Sequence, residues 1–190
     1  MPYSYLALGD SYTIGEGVPI YESFPYQTVQ LLRAAGLAFY APEIVAKTGW
    51  TTDELRSAIQ ATHFLPRYDM VSLCIGVNNQ YRGRDAGEYR DQFTELLQQA
   101  MKMGDHVFVL SIPDWGITPF ANGRDTNAIT REIAEYNTIN KTVAEKYEVT
   151  YIENIADARL LAADQLHPSG AEYAKWASRL AEKAKQVFKR

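Results

Sequence analysis

The sequence predicts a three-layer α/β/α sandwich built on a parallel sheet of about five strands. Short apolar runs, each followed within a few residues by Gly, Pro, Asn or Asp, alternate with longer segments in which apolar residues recur at three and four positions. This alternation of strands and helices is typical of a parallel sheet covered on both faces. A length of 190 residues, 46% of them hydrophobic, suits one folded domain spanning residues 1–190.

Ten elements make up this prediction, in chain order. The apolar runs predict strands at residues 5–8, 43–46, 69–75, 106–111 and 149–152. The helical periodicity predicts helices at residues 24–35, 52–62, 86–103, 128–147 and 168–188. The last helix is the clearest, because its alanines fall on one stripe, Pro168 suits a first-turn position and Ser169 helps to start it.

In parallel sheets of this kind, reactive groups collect at the carboxyl ends of the strands. The loops that start at Gly9, Ala46, Gly76, Ser111 and Ile152 should therefore meet in one crevice. A residue proposed for catalysis should lie on one of these loops.

Bulk properties argue against several classes of protein. A net charge of -4 argues against a nucleic-acid binder, which needs a basic face. The single cysteine, Cys74, cannot form an internal disulfide. It lies in an apolar run, so we expect it to be a small buried hydrophobic residue. No run approaches the roughly 20 apolar residues of a membrane-spanning helix. We therefore expect a soluble protein, cytoplasmic as given, or secreted or periplasmic if a leader has been removed; the oligomeric state stays open.

Ser11 directly follows the first strand in the run Gly9-Asp10-Ser11. A serine on a tight turn there can present its hydroxyl above the edge of the sheet, as a nucleophile requires. A serine after a strand is also a common helix cap, so its position alone decides little.

Asp164 and His167 lie three residues apart, just before the final helix. This spacing lets Asp164 reach Nδ1 of the imidazole and leaves Nε2 free to accept the proton of a serine. Two other interpretations compete, a helix-capping Asp164 and an Asp/His metal pair. The chain shows no further ligands at a suitable spacing for a metal. His63 and His106 lie at a predicted helix end and strand start, where we expect structural roles.

Asn78 and Gly49 follow two further strands, in Gly76-Val77-Asn78 and Lys47-Thr48-Gly49. A side-chain amide and backbone N–H groups can stabilise the oxyanion of an acyl-transfer reaction, and glycine lets the backbone approach the substrate. Either segment alone would more often be a turn.

Together these blocks resemble the GDSL-type, or SGNH, family of esterases, lipases and acylhydrolases. They appear in family order over nearly the whole chain, as Gly9-Asp10-Ser11, Gly49, Gly76-Val77-Asn78 and Asp164-Gln165-Leu166-His167-Pro168. The resemblance implies a flavodoxin-like sandwich and ester hydrolysis that needs neither metal nor cofactor.

The resemblance also assigns roles to the matching positions. Ser11 would be the nucleophile, with His167 as base and Asp164 as its partner. The Ser11 N–H, the Gly49 N–H and the Asn78 amide would form the oxyanion hole. Asp10 would support the nucleophile loop rather than react.

The chain departs from the family pattern at two positions. Tyr12 follows the nucleophile where the family has Leu, and Asn79 stands where the family commonly has Asp. Neither change removes a predicted catalytic group, so they affect the pocket wall and loop geometry more than the reaction.

The substrate is predicted to be a small-molecule ester with a short-to-medium acyl chain. Trp115, Ile117 and Phe120 could line an apolar acyl slot with Tyr12, or merely cover the edge of the sheet. The same core also suits other activities: a carbohydrate O-acetyl esterase, a thioesterase or lysophospholipase, and an acyltransferase that passes the acyl group to an alcohol. A non-catalytic binding module is the alternative from a different class.

Overall fold

The computed structural model describes residues 1–153 and 157–188 of the chain. Its five strands form one parallel sheet in the order β2-β1-β3-β4-β5. The strands are β1 (Tyr5–Asp10), β2 (Glu43–Lys47), β3 (Tyr68–Cys74), β4 (Gly104–Leu110) and β5 (Thr150–Ile152). This order is that of flavodoxin-like sheets, so the predicted fold class is confirmed.

Seven α-helices connect and cover the strands within the described residues. They are α1 (Ser11–Ile14), α2 (Phe24–Ala34), α3 (Thr52–Ala61), α4 (Val77–Tyr81), α5 (Ala86–Met103), α6 (Thr126–Lys146) and α7 (Gly170–Phe188). Helices α2 and α7 pack together, whereas α5 packs against both α3 and α6. None of these helices is long and apolar enough to cross a membrane.

The core lies around the central strands. Every residue of β1 is buried, and β3 is buried except for its half-buried Asp69. This continuous burial is expected for strands covered by helices on both faces. It keeps the middle of the sheet rigid and positions the loops that leave its carboxyl end.

Two short helices, α1 and α4, were not predicted from the sequence, and they have only four and five residues. One turn of helix contains too few positions for apolar periodicity to show. Helix α1 begins directly after β1, α4 follows β3 after two intervening residues, and both carry residues of the candidate site.

The start of the last helix was also predicted wrongly, because α7 begins at Gly170 and excludes Pro168. Pro168 instead lies in an antiparallel bridge with Leu161, flanked by hydrogen bonds from Ala162 N to His167 O and from Ser169 N to Leu160 O. These bonds hold the segment in extended backbone. Ser169 then starts the helix by accepting a hydrogen bond from Tyr173 N.

Candidate active site

Ser11 begins α1 immediately after β1. The side chain of Asp10 caps this helix by accepting a hydrogen bond from Tyr12 N at 3.0 Å. Gly9 is required at the end of the strand, because a Cβ there would lie 2.4 Å from the carbonyl oxygen of Cys74 and closer still to Thr13. The chain therefore turns sharply, and the Ser11 side chain emerges at the carboxyl edge of the sheet.

Residues 160–169, which we call the base loop, bring His167 to Ser11. Nε2 of His167 lies 2.9 Å from Oγ of Ser11, and Nδ1 lies 2.6 Å from Oδ2 of Asp164. Ser11 and His167 are 4% and 6% exposed, so the hydrogen bond between them is shielded from water. The three predicted triad residues thus form a continuous chain of hydrogen bonds.

Asp164 is held by its own loop. Its Oδ1 accepts hydrogen bonds from the N–H groups of Leu166 and His167, both at 3.0 Å, across a turn in which Gln165 has a φ of 59°. Partial burial alone would raise the pKa of Asp164, but the hydrogen bonds from His167 and from these N–H groups outweigh burial and lower it. The carboxylate is therefore ionised at neutral pH and its second oxygen stays directed at the imidazole.

Two segments, residues 48–52 and 76–82, form what we call the oxyanion loops. Gly49 has a φ of 87°, a conformation that other residues rarely adopt. The side chain of Arg82 donates from Nη2 to Gly49 O at 2.6 Å, and Nδ2 of Asn78 donates to Trp50 O at 3.1 Å. Both predicted oxyanion residues are thus fixed relative to each other by bonds between the two loops.

Asn79 adds a third link between the oxyanion loops. Its Oδ1 accepts from Thr52 N at 3.0 Å and its Nδ2 donates to Thr52 Oγ1 at 2.7 Å, in a buried position. An ionised aspartate in this place would accept from Thr52 N but have no proton to donate. Asn79 in place of the family's Asp therefore has a structural explanation, because its amide binds both the backbone N–H and the hydroxyl of Thr52.

Asp10 links the turn that carries Ser11 to the oxyanion loops. Its Oδ2 accepts a long hydrogen bond of 3.4 Å from Asn78 Nδ2, while its Oδ1 holds Tyr12 N. Complete burial raises the pKa of Asp10 to about 7, although the hydrogen bonds from Tyr12 N and Asn78 favour the ionised form. Asp10 lies behind the nucleophile and has no hydrogen bond to His167, as expected for a supporting residue.

A cleft opens beside Ser11 and His167. Its lining is mostly apolar and comprises Ser11, Tyr12, Thr48, Gly49, Val77, Asn78, Tyr81, Trp115, Phe120, Leu166 and His167. Three of the four predicted pocket residues, Tyr12, Trp115 and Phe120, are in this lining. Ile117 is not, and its side chain is exposed.

Tyr12 packs against the imidazole of His167, with ring centroids 4.9 Å apart. Tyr81, Trp115 and Phe120, which we call the aromatic wall, form the far side of the cleft. Trp115 is fixed in this wall because its Nε1 donates to Gln80 Oε1 at 2.7 Å. Tyr81 and Phe120 are 45% and 40% exposed, so the rim of the cleft is aromatic and open to solvent.

Sequence reasoning missed Arg82 and Tyr81, because both belong to the short helix α4 or its end. Arg82 follows Asn78 by four residues, a spacing that would have suggested a shared face had the helix been recognised. His63 and His106 lie outside the cleft lining, and His106 packs against Phe188. Among residues 1–153 and 157–188, no group of three or more His, Cys, Asp or Glu side chains could hold a metal ion.

A serine, an imidazole and a carboxylate in series, at the carboxyl edge of a flavodoxin-like sheet, define the class of serine hydrolases. The model of the GDSL-like lipase/acylhydrolase family matches residues 7–183. The chain therefore belongs to the GDSL-like lipase/acylhydrolase family, and the predicted enzyme class, a GDSL-type esterase, is confirmed.

Solved structures with the same fold have low sequence identity to this chain. The acetylxylan esterase Axe2 from Geobacillus stearothermophilus is 19% identical, with a TM-score of 0.73 over 95% of this chain and 93% of that one. TesA is 16% identical, with a TM-score of 0.76 over 97% and 99%. A member of the lipolytic G-D-S-L family from Veillonella parvula DSM 2008 is 18% identical, with a TM-score of 0.72 over 98% of each chain. A sequence comparison with curated proteins gave no match.

Proposed function

We propose that the protein hydrolyses carboxylic esters of small molecules through an acyl-enzyme on Ser11. The hydrogen-bonded series Ser11, His167 and Asp164 carries this proposal, with 2.9 Å and 2.6 Å between successive groups. A serine hydroxyl is a weak nucleophile unless a base accepts its proton as it attacks. His167 is within reach to do so.

In the first half of the reaction, Ser11 Oγ attacks the ester carbonyl while His167 Nε2 takes its proton. The ionised Asp164 stabilises the imidazolium and holds its orientation. The Ser11 N–H, the Gly49 N–H and the Asn78 amide donate to the oxyanion. The tetrahedral intermediate then collapses, and His167 returns the proton to the departing alcohol oxygen.

Binding of the oxyanion requires a rearrangement at Asn78. Its amide nitrogen already donates to Trp50 O at 3.1 Å and to Asp10 Oδ2 at 3.4 Å. The longer bond to Asp10 is the weaker of the two, so it is the one that an oxyanion displaces. The bond to Trp50 stays and keeps the amide aimed at the reacting carbonyl.

In the second half, water replaces the alcohol. His167 removes a proton from the water as its oxygen attacks the acyl carbonyl, and the same donors hold the second oxyanion. The bond between the acyl carbon and Ser11 Oγ then breaks, His167 returns the proton to Oγ, and the carboxylic acid leaves. An alcohol that enters in place of water would instead receive the acyl group, so acyl transfer uses the same intermediate.

Short-to-medium acyl esters suit the cleft best. Its walls are largely apolar, and Val77, Leu166 and the aromatic wall surround the space next to Ser11. An apolar part of the ester would lie against the aromatic wall.

The test compares the wild type with Ser11→Ala on p-nitrophenyl acetate, butyrate and octanoate, and follows any acyl adduct by intact mass. We expect Ser11→Ala to lose turnover by about 10⁴-fold or more and to form no adduct. Ser57→Ala is the matched control, because Ser57 is an exposed serine on α3 that bonds only Asp53 O. Equal turnover by the wild type and Ser11→Ala would leave the binding-module interpretation.

A further inference from the structure

Arg124 lies against the aromatic wall. Its guanidinium carbon is 5.1 Å from the ring centroid of Tyr81, 5.4 Å from that of Trp115 and 5.6 Å from that of Phe120. Its Nη2 also donates to Tyr81 Oη at 3.1 Å. Three rings and one hydrogen bond therefore hold an exposed cation beside the rim of the cleft.

No carboxylate within residues 1–153 and 157–188 forms an ion pair with Arg124. The acids nearest in sequence to Arg124 and to the wall have other partners. Asp125 caps α6 by accepting from Ala128 N at 2.9 Å. Asp114 accepts from Gly116 N at 2.8 Å and from Thr130 Oγ1 at 2.7 Å. Within the described residues, the guanidinium of Arg124 is thus held by three aromatic rings and one hydroxyl, without a carboxylate.

Acids that contact residues of the cleft lining are also engaged. Glu16 is hydrogen-bonded by Thr48, and Asp164 by His167. Arg82, the other arginine next to the cleft, is paired with Glu54 at 3.3 Å and bound to Gly49 O. Arg124 therefore combines a charge without a carboxylate partner with free donors, because a guanidinium has five N–H groups and one of them is used among the residues that the structure describes.

We propose that Arg124 forms an anion subsite at the aromatic rim, so that the preferred substrates are esters with an apolar segment and a distal carboxylate or phosphate. This inference rests on the proposed function. The apolar segment lies along the aromatic wall, and the anion meets the planar fork of the guanidinium. Because the rings already hold the guanidinium, little side-chain freedom is lost when the anion binds.

The test measures kcat/KM for two pairs of matched esters. The first pair, mono-p-nitrophenyl adipate and p-nitrophenyl hexanoate, places the charge on the acyl side. The second pair, 4-acetoxybenzoate and 4-acetoxybenzamide, places it on the alcohol side. For each pair, the measured quantity is kcat/KM of the anionic ester divided by kcat/KM of the neutral ester. Arg124→Gln should lower this ratio by about fivefold in the pair whose anion reaches Arg124, which is the scale of one partly screened ion pair. That pair identifies the half of the substrate that lies along the wall.

The ratio within each variant does not depend on how much of the protein is folded, so a destabilised variant still gives an answer. Arg124→Lys should retain part of the wild-type ratio, since it keeps the charge without the planar fork. Arg90→Gln is the matched control: Arg90 is an exposed arginine on α5, outside the cleft lining, and its loss should leave both ratios unchanged.

Ionic strength gives a readout that a packing role would not affect. The wild-type ratio should fall between about 0.01 M and about 1 M salt, as the Debye length shrinks from about 30 Å to about 3 Å, and the Arg124→Gln ratio should stay flat. Unchanged ratios in an active Arg124→Gln enzyme would overturn the anion subsite alone. Absence of Ser11-dependent turnover on p-nitrophenyl hexanoate would instead overturn the proposed function, and the subsite with it.

Discussion

The two halves of the site are held by contacts of different range. In the base loop, Asp164 binds His167 and the backbone of its own turn, over no more than three residues. In the oxyanion loops, the links Arg82 to Gly49, Asn78 to Trp50 and Asn79 to Thr52 each span 27 to 33 residues. One half is a local turn and the other is an assembly of two loops.

This difference determines what a substitution does. The base loop concentrates its chemistry in one imidazole, so a single change removes the proton transfer. The oxyanion loops share one task among several donors and links, so each change should remove only part of the stabilisation. Substitutions in the two halves should therefore differ in size.

The largest effect should come from the base loop. His167→Ala removes the base, and kcat should fall by about 10⁴- to 10⁶-fold, as it does when members of other serine triads are removed. Steady-state hydrolysis of p-nitrophenyl butyrate measures the loss. His106→Ala is the control, because His106 lies on β4 outside the cleft lining. A loss smaller than that of Asn78→Ala would reverse the comparison.

Asn78→Ala should have the second-largest effect. It removes one of three oxyanion donors and should lower kcat by about 10²–10³, or roughly 3 kcal/mol, with a smaller change in KM. Steady-state kinetics on p-nitrophenyl butyrate would show this. A near-normal kcat would remove Asn78 from the proposed mechanism.

Arg82→Met should have a smaller effect, because Arg82 positions Gly49 without touching the substrate. Loss of its hydrogen bond to Gly49 O should lower kcat by about tenfold or less, the scale of one charge-assisted hydrogen bond. Arg84→Met is the control, since Arg84 pairs with Asp53 and Glu88 and has no bond to Gly49.

A double variant tests whether Arg82 acts by positioning the oxyanion hole or by stabilising the fold in general. If Arg82 acts through the oxyanion hole, Arg82→Met combined with Asn78→Ala should cost less than the product of the two single losses. Strict additivity would mean that Arg82 acts elsewhere, and restoration of kcat by Arg82→Lys would support the hydrogen bond.

Asp10, which caps α1 and accepts a hydrogen bond from Asn78, should affect stability more than rate. Burial raises its pKa to about 7, above the ordinary value of 3.8, so the folded state favours the protonated form. Its contribution is fully present below about pH 4 and is lost as the pH rises through about 7. Asp10→Asn cannot ionise, so its unfolding free energy should fall less than that of the wild type between about pH 5 and about pH 8. Urea unfolding of both proteins at the two pH values measures these changes. An equal fall in unfolding free energy for the wild type and Asp10→Asn would contradict the raised pKa.

The same difference in range explains what the sequence could predict. Alternation of apolar runs and helical periodicity was enough for the sheet and the five long helices, and the spacing of Asp164 and His167 indicated a local pair. The links of the oxyanion loops join residues far apart in sequence and depend on α4, which is too short to show periodicity. Arg82 and Tyr81 were therefore missed, and Pro168 was assigned to a helix because its bridge to Leu161 has no sequence signal.

The bond between Ser11 and His167 joins residues 156 positions apart. The nucleophile is synthesised 156 residues before its base, which lies in the last loop before α7. A nascent chain that has already paired β1 with β2 and β3 thus carries an unactivated serine. We expect a nascent chain to remain catalytically silent until the base loop has left the ribosome and His167 has reached Ser11.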